Sequence, residues 1–176
     1  MMAFVLARAA LATTPLQAMA VAALRQAHDE PNGSSFEHGG MLVANQGTLR
    51  YIEPYPENDQ PDHVQSYNER MLLAGDRMVG TYHTHPCMKD YYHQYFSTPD
   101  VIVSIFTAVP MFMLDECTGE VHEFFAIIDT VHGTGDDVEV RGPHCEKKLV
   151  HLPTGRIIGS IGVSDPEHVN FTKECP

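Results

Sequence analysis

Met78-Val79-Gly80-Thr81-Tyr82-His83-Thr84-His85-Pro86, separated by ten residues from Ser97-Thr98-Pro99-Asp100, is the stretch that decides how this chain reads. The β-branched and aromatic residues ahead of the histidines predict a strand that ends close to them. Side chains at i and i+2 of a strand point to one face, about 6.6 Å apart along the chain, so both imidazoles can reach one ion. Ser97-x-x-Asp100 then opens an apolar run, Val101 to Val109, with helical character. Asp100 completes a His/His/Asp set that leaves a fourth position for water, the pattern of a catalytic rather than a structural zinc.

Each half of this pattern also has an ordinary reading. Ser-x-x-Asp before an apolar run is a capping-box-like helix start, with the serine accepting from the backbone and the acid in the first turn. A His-x-His pair in a chain with eleven histidines is, by itself, more often solvated or hydrogen-bonded than metallated. The conjunction carries more weight than either half, and an acid upstream adds a third element. Glu37 lies in Ser35-Phe36-Glu37-His38-Gly39-Gly40, just before the strand-like Met41 to Ala44. A zinc-bound water needs a carboxylate to take its proton and pass it to the leaving group. An acid on one strand and histidines on a neighbouring strand can converge.

Glu, then His-x-His-Pro, then Ser-x-x-Asp, in that order, resembles the JAMM (MPN-plus or JAB) metalloprotease pattern. The nearest likeness is to the small bacterial JAMM-like domains of polymorphic toxins and secreted effectors. Phe36-Glu37-His38-Gly39-Gly40, Val79 to Pro86 and Phe96 to Asp100 carry it, within roughly residues 15–130. The sequence departs from the family in one place: the ten residues Cys87 to Phe96 between Pro86 and Ser97 are several more than is usual.

The resemblance implies a role for each residue. His83 and His85 would be neutral imidazole ligands, each with a partner fixing its tautomer, and Asp100 the carboxylate ligand of a Zn2+ ion. Glu37 would be general base and then general acid. Ser97, at the helix N-cap, would hydrogen-bond the developing oxyanion or the water. The implied fold is a single α/β domain with a mixed β-sheet flanked by helices, similar to the JAMM (cytidine-deaminase-like) fold. The implied activity is zinc-dependent hydrolysis of a peptide or isopeptide bond in a protein or peptide substrate. An effector protease or a self-processing domain fits equally. Two other readings stay open: a non-catalytic module that uses the same groove for binding, and a toxin hydrolase acting on a non-protein amide.

Other metal hydrolase classes fit less well. Nucleobase deaminases need His-x-Glu and a later Pro-Cys-x-x-Cys, whereas Pro86-Cys87 is followed by Met88-Lys89-Asp90. Barrel-type hydrolases also use a His-x-His strand, but 176 residues are too few for an eight-fold barrel. With 43% hydrophobic residues the chain can bury a sizeable core. A net charge of −12 argues against non-specific nucleic-acid binding, which depends on neutralising phosphates. It also argues against a basic membrane-surface helix, and no stretch reaches the roughly 18–20 apolar residues of a membrane span.

The four cysteines, Cys87, Cys117, Cys145 and Cys175, form no Cys-x-x-Cys. Cys87 reads as an ordinary loop or buried cysteine, with a reactive thiol beside the metal as the sharper alternative. Cys145 and Cys175 can pair if the protein is exported. Residues 1–14 are apolar and rich in small residues, yet Arg8 interrupts the run and no basic stretch precedes it, a poor match to a signal peptide. They read as a tail or as the join to upstream domains of a longer parent. A bacterial chain, cytoplasmic or secreted, is implied.

Outward from the motif, Thr14-Pro15 predicts a helix start running to about His28, with Leu16, Ala20, Ala23 and Ala27 on one face. Met41 to Ala44 and Thr48 to Glu53 flank Asn45-Gln46-Gly47, a hairpin signal. Residues 54–65 read as an exposed loop, and Ser66 to Ala74 is ambiguous. Arg77 to His83 is the metal strand and Ser97 to about Ala108 the metal helix. Met111 to Asp115 and Glu120 to Ile128 flank a second turn at Cys117-Thr118-Gly119, and Gly133 to Asp137 is a turn. Residues 131–176 read as a C-terminal extension with strand-like pieces at Lys148 to Leu152 and Arg156 to Val163. The aromatics Tyr91, Tyr92, Tyr95 and Phe96 divide between gripping a substrate and packing their loop. His93 reads as solvent-exposed, with an extra metal ligand as the alternative.

Overall fold

A computed structural model describes residues 13–33, 35–53, 64, 68–87, 93–126, 135–141 and 147–163. Helix α1, Pro15–Asp29, starts at a full capping box: Thr14 Oγ1 accepts from Gln17 N and the Gln17 side chain accepts from Thr14 N. Proline at its first position costs nothing, because the missing N–H has no partner inside the helix. Strands β1 (Gly39–Asn45) and β2 (Thr48–Ile52) form the first hairpin. Gln46 and Gly47 both adopt positive φ, 46° and 83°, and Gly47 takes the left-handed conformation without a Cβ penalty. Within the described part of the ambiguous segment, Glu69–Met71 forms a 3-10 turn.

Strand β3, Arg77–His85, runs through both motif histidines. Helix α2, Thr98–Thr107, follows with Ser97 as its N-cap, and a left-handed Ala108 followed by Pro110 stops it. Strands β4 (Met111–Asp115) and β5 (Glu120–Phe124) form the second hairpin. A separate antiparallel pair, β6 (Asp136–Arg141) with β7 (Lys147–Leu152), precedes β8, Arg156–Ser160.

The main sheet has the order β2-β1-β3-β4-β5-β8, with β3 and β4 parallel and every other pair antiparallel. The chain is therefore a single α/β domain, with a mixed six-stranded sheet and the two helices α1 and α2 among the described residues. Strand alternation separates the two faces. Tyr82, Phe112 and Leu114 pack with Leu42, Val121 and Ile161 against Ala20, Ala23, Leu24 and Ala27 of α1. Met111 and Met113 turn the other way, toward Phe96, Phe124, Ala126 and the Val101 and Val103 side chains of α2. By the same alternation His83 and His85 project to the α2 face. Burying a large side chain contributes roughly 1.5–3 kcal/mol, so these two clusters fix where both helices lie.

Four expectations need correction. Cys87 is not an ordinary cysteine: it is disulfide-bonded to Cys117 at the end of β4, with the Cα atoms 4.7 Å apart. Pairing follows three-dimensional proximity, which spacing alone does not reveal. Strand β5 ends at Phe124, its pairing partner being Met111 at the start of β4, and β8 stops at Ser160 rather than Val163, opposite Glu120 at the start of β5. The expected turn at Gly133 to Asp137 gives way to strand at Asp136, where β6 pairs with Leu152 of β7, while Gly133 and Thr134 lie outside the described residues. Cys145, Cys175, Tyr91, Tyr92 and most of the loop 54–65 lie outside the described residues.

Candidate metal centre

The two histidines converge as the strand geometry requires. His83 Nε2 and His85 Nε2 are 2.8 Å apart, with ring centroids at 4.7 Å. Asp100 completes the group, its Oδ1 3.4 Å from His83 Nε2 and its Oδ2 3.7 Å from His85 Nε2. A tetrahedral ion with bonds of about 2.0–2.1 Å spaces its ligand atoms about 3.3 Å apart. The three observed separations straddle that value. Both imidazoles are only 2% exposed, so the donor atoms meet in a largely dry place.

The tautomer of His85 is set by its surroundings. His85 Nδ1 donates to the carbonyl oxygen of His93 at 3.1 Å, which leaves the neutral ring's Nε2 lone pair pointing at His83 and Asp100. Two such lone pairs at 2.8 Å repel unless a proton or a cation lies between them. His83 Nδ1 is buried and has no hydrogen-bond partner among the described residues, so only one of the two expected orienting bonds is present there.

Asp100 is placed by the helix it caps. Ser97 N donates to Asp100 Oδ2 at 2.7 Å, Ser97 Oγ donates to the same oxygen at 2.6 Å, and Asp100 N donates back to Ser97 Oγ. Ser-x-x-Asp is thus both cap and site component. With Oδ2 holding both serine bonds, Oδ1 is the freer oxygen for an ion. Burial pushes the Asp100 carboxyl up, but His83 and then His85, by charge and hydrogen bonding, outweigh it and hold the group well below the usual carboxylate range. The hydroxyl of Ser97 is committed to Asp100 in this arrangement, which makes it a positioning group for that ligand.

Glu37 lies two residues ahead of β1. Gly39 pairs with His83, Thr84 N donates to His38 O at 2.8 Å, and Thr84 Oγ1 accepts from His38 N at 3.0 Å. Continuing that antiparallel register brings Glu37 level with His85, and directly opposed residues share a face. Glu37 is 5% exposed. The close packing of Gly39 against β3 makes this approach possible: a Cβ there would lie 2.5 Å from Tyr82 O and 2.7 Å from His83 Cβ.

The neighbourhood holds residues whose roles the sequence did not reveal. His93 is turned away from the His83/His85 pair: its Nδ1 lies 2.8 Å from Asp115 Oδ1, and only its carbonyl serves His85. Tyr95 is buried with Val138 and Leu152, its hydroxyl donating to Asp136, and Phe96 packs on Phe124 at 5.1 Å. Both therefore pack their loop rather than reach outward. His28 Nδ1 and Glu116 Oε2 lie within hydrogen-bonding distance, 2.8 Å, a contact that ties α1 to the turn after β4. His83, His85 and Asp100 form one group able to hold a metal ion, and His93, Asp115 and Cys117 form another. The chain matches no family model and no curated protein.

Proposed function

We propose that this chain is a zinc-dependent hydrolase of the JAMM type that cleaves a peptide or isopeptide bond, with residues 15–130 as its core. The observation that carries the reading is the convergence of His83 Nε2, His85 Nε2 and the Asp100 carboxylate, whose separations straddle the spacing of a tetrahedral ion's ligands and leave a position to spare. Two nitrogens and one carboxylate oxygen suit zinc among the common divalent ions. A zinc ion held there supplies Lewis acidity and a water acidified to a pKa of about 7.

The remaining work falls to the chain's own groups. Glu37 accepts the proton of the attacking water and delivers it to the departing amine nitrogen. Asp100, whose carboxyl is held well below the usual carboxylate range, is ionised and available as a ligand at neutral pH. Ser97 locks the Asp100 carboxylate through two hydrogen bonds, so the ligand loses little freedom when the site fills. His93 O holds the His85 ring in the ligating tautomer.

The test pairs elemental analysis with a panel of peptide and isopeptide substrates. Glu37→Gln is expected to keep its zinc and its fold while losing turnover. Full activity in that variant removes Glu37 as the base. Stoichiometric zinc in the wild type with no cleavage across the panel moves the reading to a binding module.

A further inference from the structure

We propose that Cys87, Cys117, His93 and Asp115 form a second metal site, which takes a zinc-class divalent cation when the disulfide is reduced. One ligand atom each from His93, Asp115 and Cys117 already lies within 4.8 Å of the others. Cys87, bonded to Cys117, places a second sulfur beside that group. The resulting set of two thiolates, one imidazole and one carboxylate is a full tetrahedral complement of the borderline-soft kind that zinc prefers.

The cluster is also prepared for a cation. Asp115 is buried and oriented by three donors: Cys117 N at 2.8 Å, Thr118 Oγ1 at 2.8 Å and His93 Nδ1 at 2.8 Å. A metal entering between Asp115 Oδ1 and His93 Nδ1 has to widen that last contact by only about half an ångström to reach tetrahedral spacing. His93 and Cys117 are partly exposed, which gives both reductant and metal a way in.

The chemistry balances with a dithiol as reductant. It delivers two electrons and two protons to Cys87–Cys117; the S–S bond breaks, two S–H bonds form, and the reductant closes to its own disulfide. Zinc then replaces the two thiol protons, which pass to water; the His93 proton that bonded Asp115 from Nδ1 is lost to water as Nε2 takes one up, so the ring ligates through Nδ1 as the neutral Nε2–H tautomer. The oxidised protein is a disulfide-tethered form and the reduced protein a metal-tethered one. In both, Cys87 stays anchored two residues after His85, and His93 keeps its carbonyl on His85 Nδ1.

The readout is the change in zinc per chain on reduction, which does not depend on what the His83/His85/Asp100 group holds. Full-length protein is purified, dialysed against excess zinc with its disulfide closed or reduced by a dithiol, freed of loose metal and analysed. Reduction is expected to add one zinc per chain in the wild type and equally in Asp100→Ala. With cobalt in place of zinc, a thiolate-to-cobalt charge-transfer band is expected only after reduction. His93→Ala keeps all four cysteines and is expected to lose the added equivalent, whereas Cys145→Ser/Cys175→Ser keeps it. No added zinc and no such band in the reduced wild type overturns the proposal, as does an added equivalent that survives in His93→Ala.

Discussion

Replacing Gly39 by alanine tests how closely the site depends on the spacing of two strands. The new Cβ would stand 2.5 Å from Tyr82 O and 2.7 Å from His83 Cβ. Non-bonded carbons pack at about 3.5–4.0 Å, so β1 and β3 have to part by roughly 0.8 Å to admit it. Neither neighbour can swing aside, because Tyr82 O is backbone and β3 is held by β1 on one side and β4 on the other. Overpacking of this kind costs about 1–3 kcal/mol. For a domain of this size each kcal/mol lowers Tm by about 2–4 °C, so a fall of about 2–12 °C is expected. Ligand distances tolerate only about 0.2 Å, so displacement of His83 should cut metal content as well. The assay is a thermal melt together with zinc analysis of the same preparation. Gly162→Ala, whose new methyl meets no atom within 4 Å among the described residues beyond its chain neighbours, should match the wild type in both. Gly47→Ala, open but at φ +83°, should lose about 1–2 kcal/mol of stability and no metal. A Gly39→Ala protein with wild-type Tm and wild-type zinc would refute the spacing argument.

The other expectations are simpler. Phe112→Ala removes a fully buried ring between α1 and the sheet and should cost about 3–5 kcal/mol, read by denaturant unfolding; a cost under about 1 kcal/mol would mean that cluster is not the core. Asp76 accepts from Leu73 N and the Asn45 amide and pairs with Arg50, and these hold its carboxyl below the usual range, with the Leu73 bond first. A depressed folded pKa gives stability that is present above the unfolded value and lost as pH falls through the folded one. Melts from pH 7 down to about pH 2 should therefore show the wild type's advantage over Asp76→Asn held to about pH 4 and shrinking below it, and parallel curves would contradict the assignment.

Local signals in the sequence were strong where the structure is local. His83 and His85 share a face because a strand has period two, and Ser97-x-x-Asp100 announces both the start of α2 and the carboxylate it presents. Asn45-Gln46-Gly47 marks its hairpin through residues that accept positive φ. Relations between distant segments were not legible. Nothing in the spacing says that Cys87 meets Cys117, that β8 adds to the edge at β5, or that His93 turns its ring to Asp115 and its carbonyl to His85. Those depend on how the sheet brings the ends of β3 and β4 side by side. The parallel β3–β4 pairing that does so, with His85 beside Asp115, joins strands separated by a whole helix.

Zinc per chain, measured by elemental analysis on disulfide-closed protein purified without chelator, tests the central claim most directly. The account predicts near-stoichiometric zinc in the wild type and its loss in both His83→Ala and Asp100→Ala. A wild type free of zinc, or zinc unchanged in both variants, would contradict it.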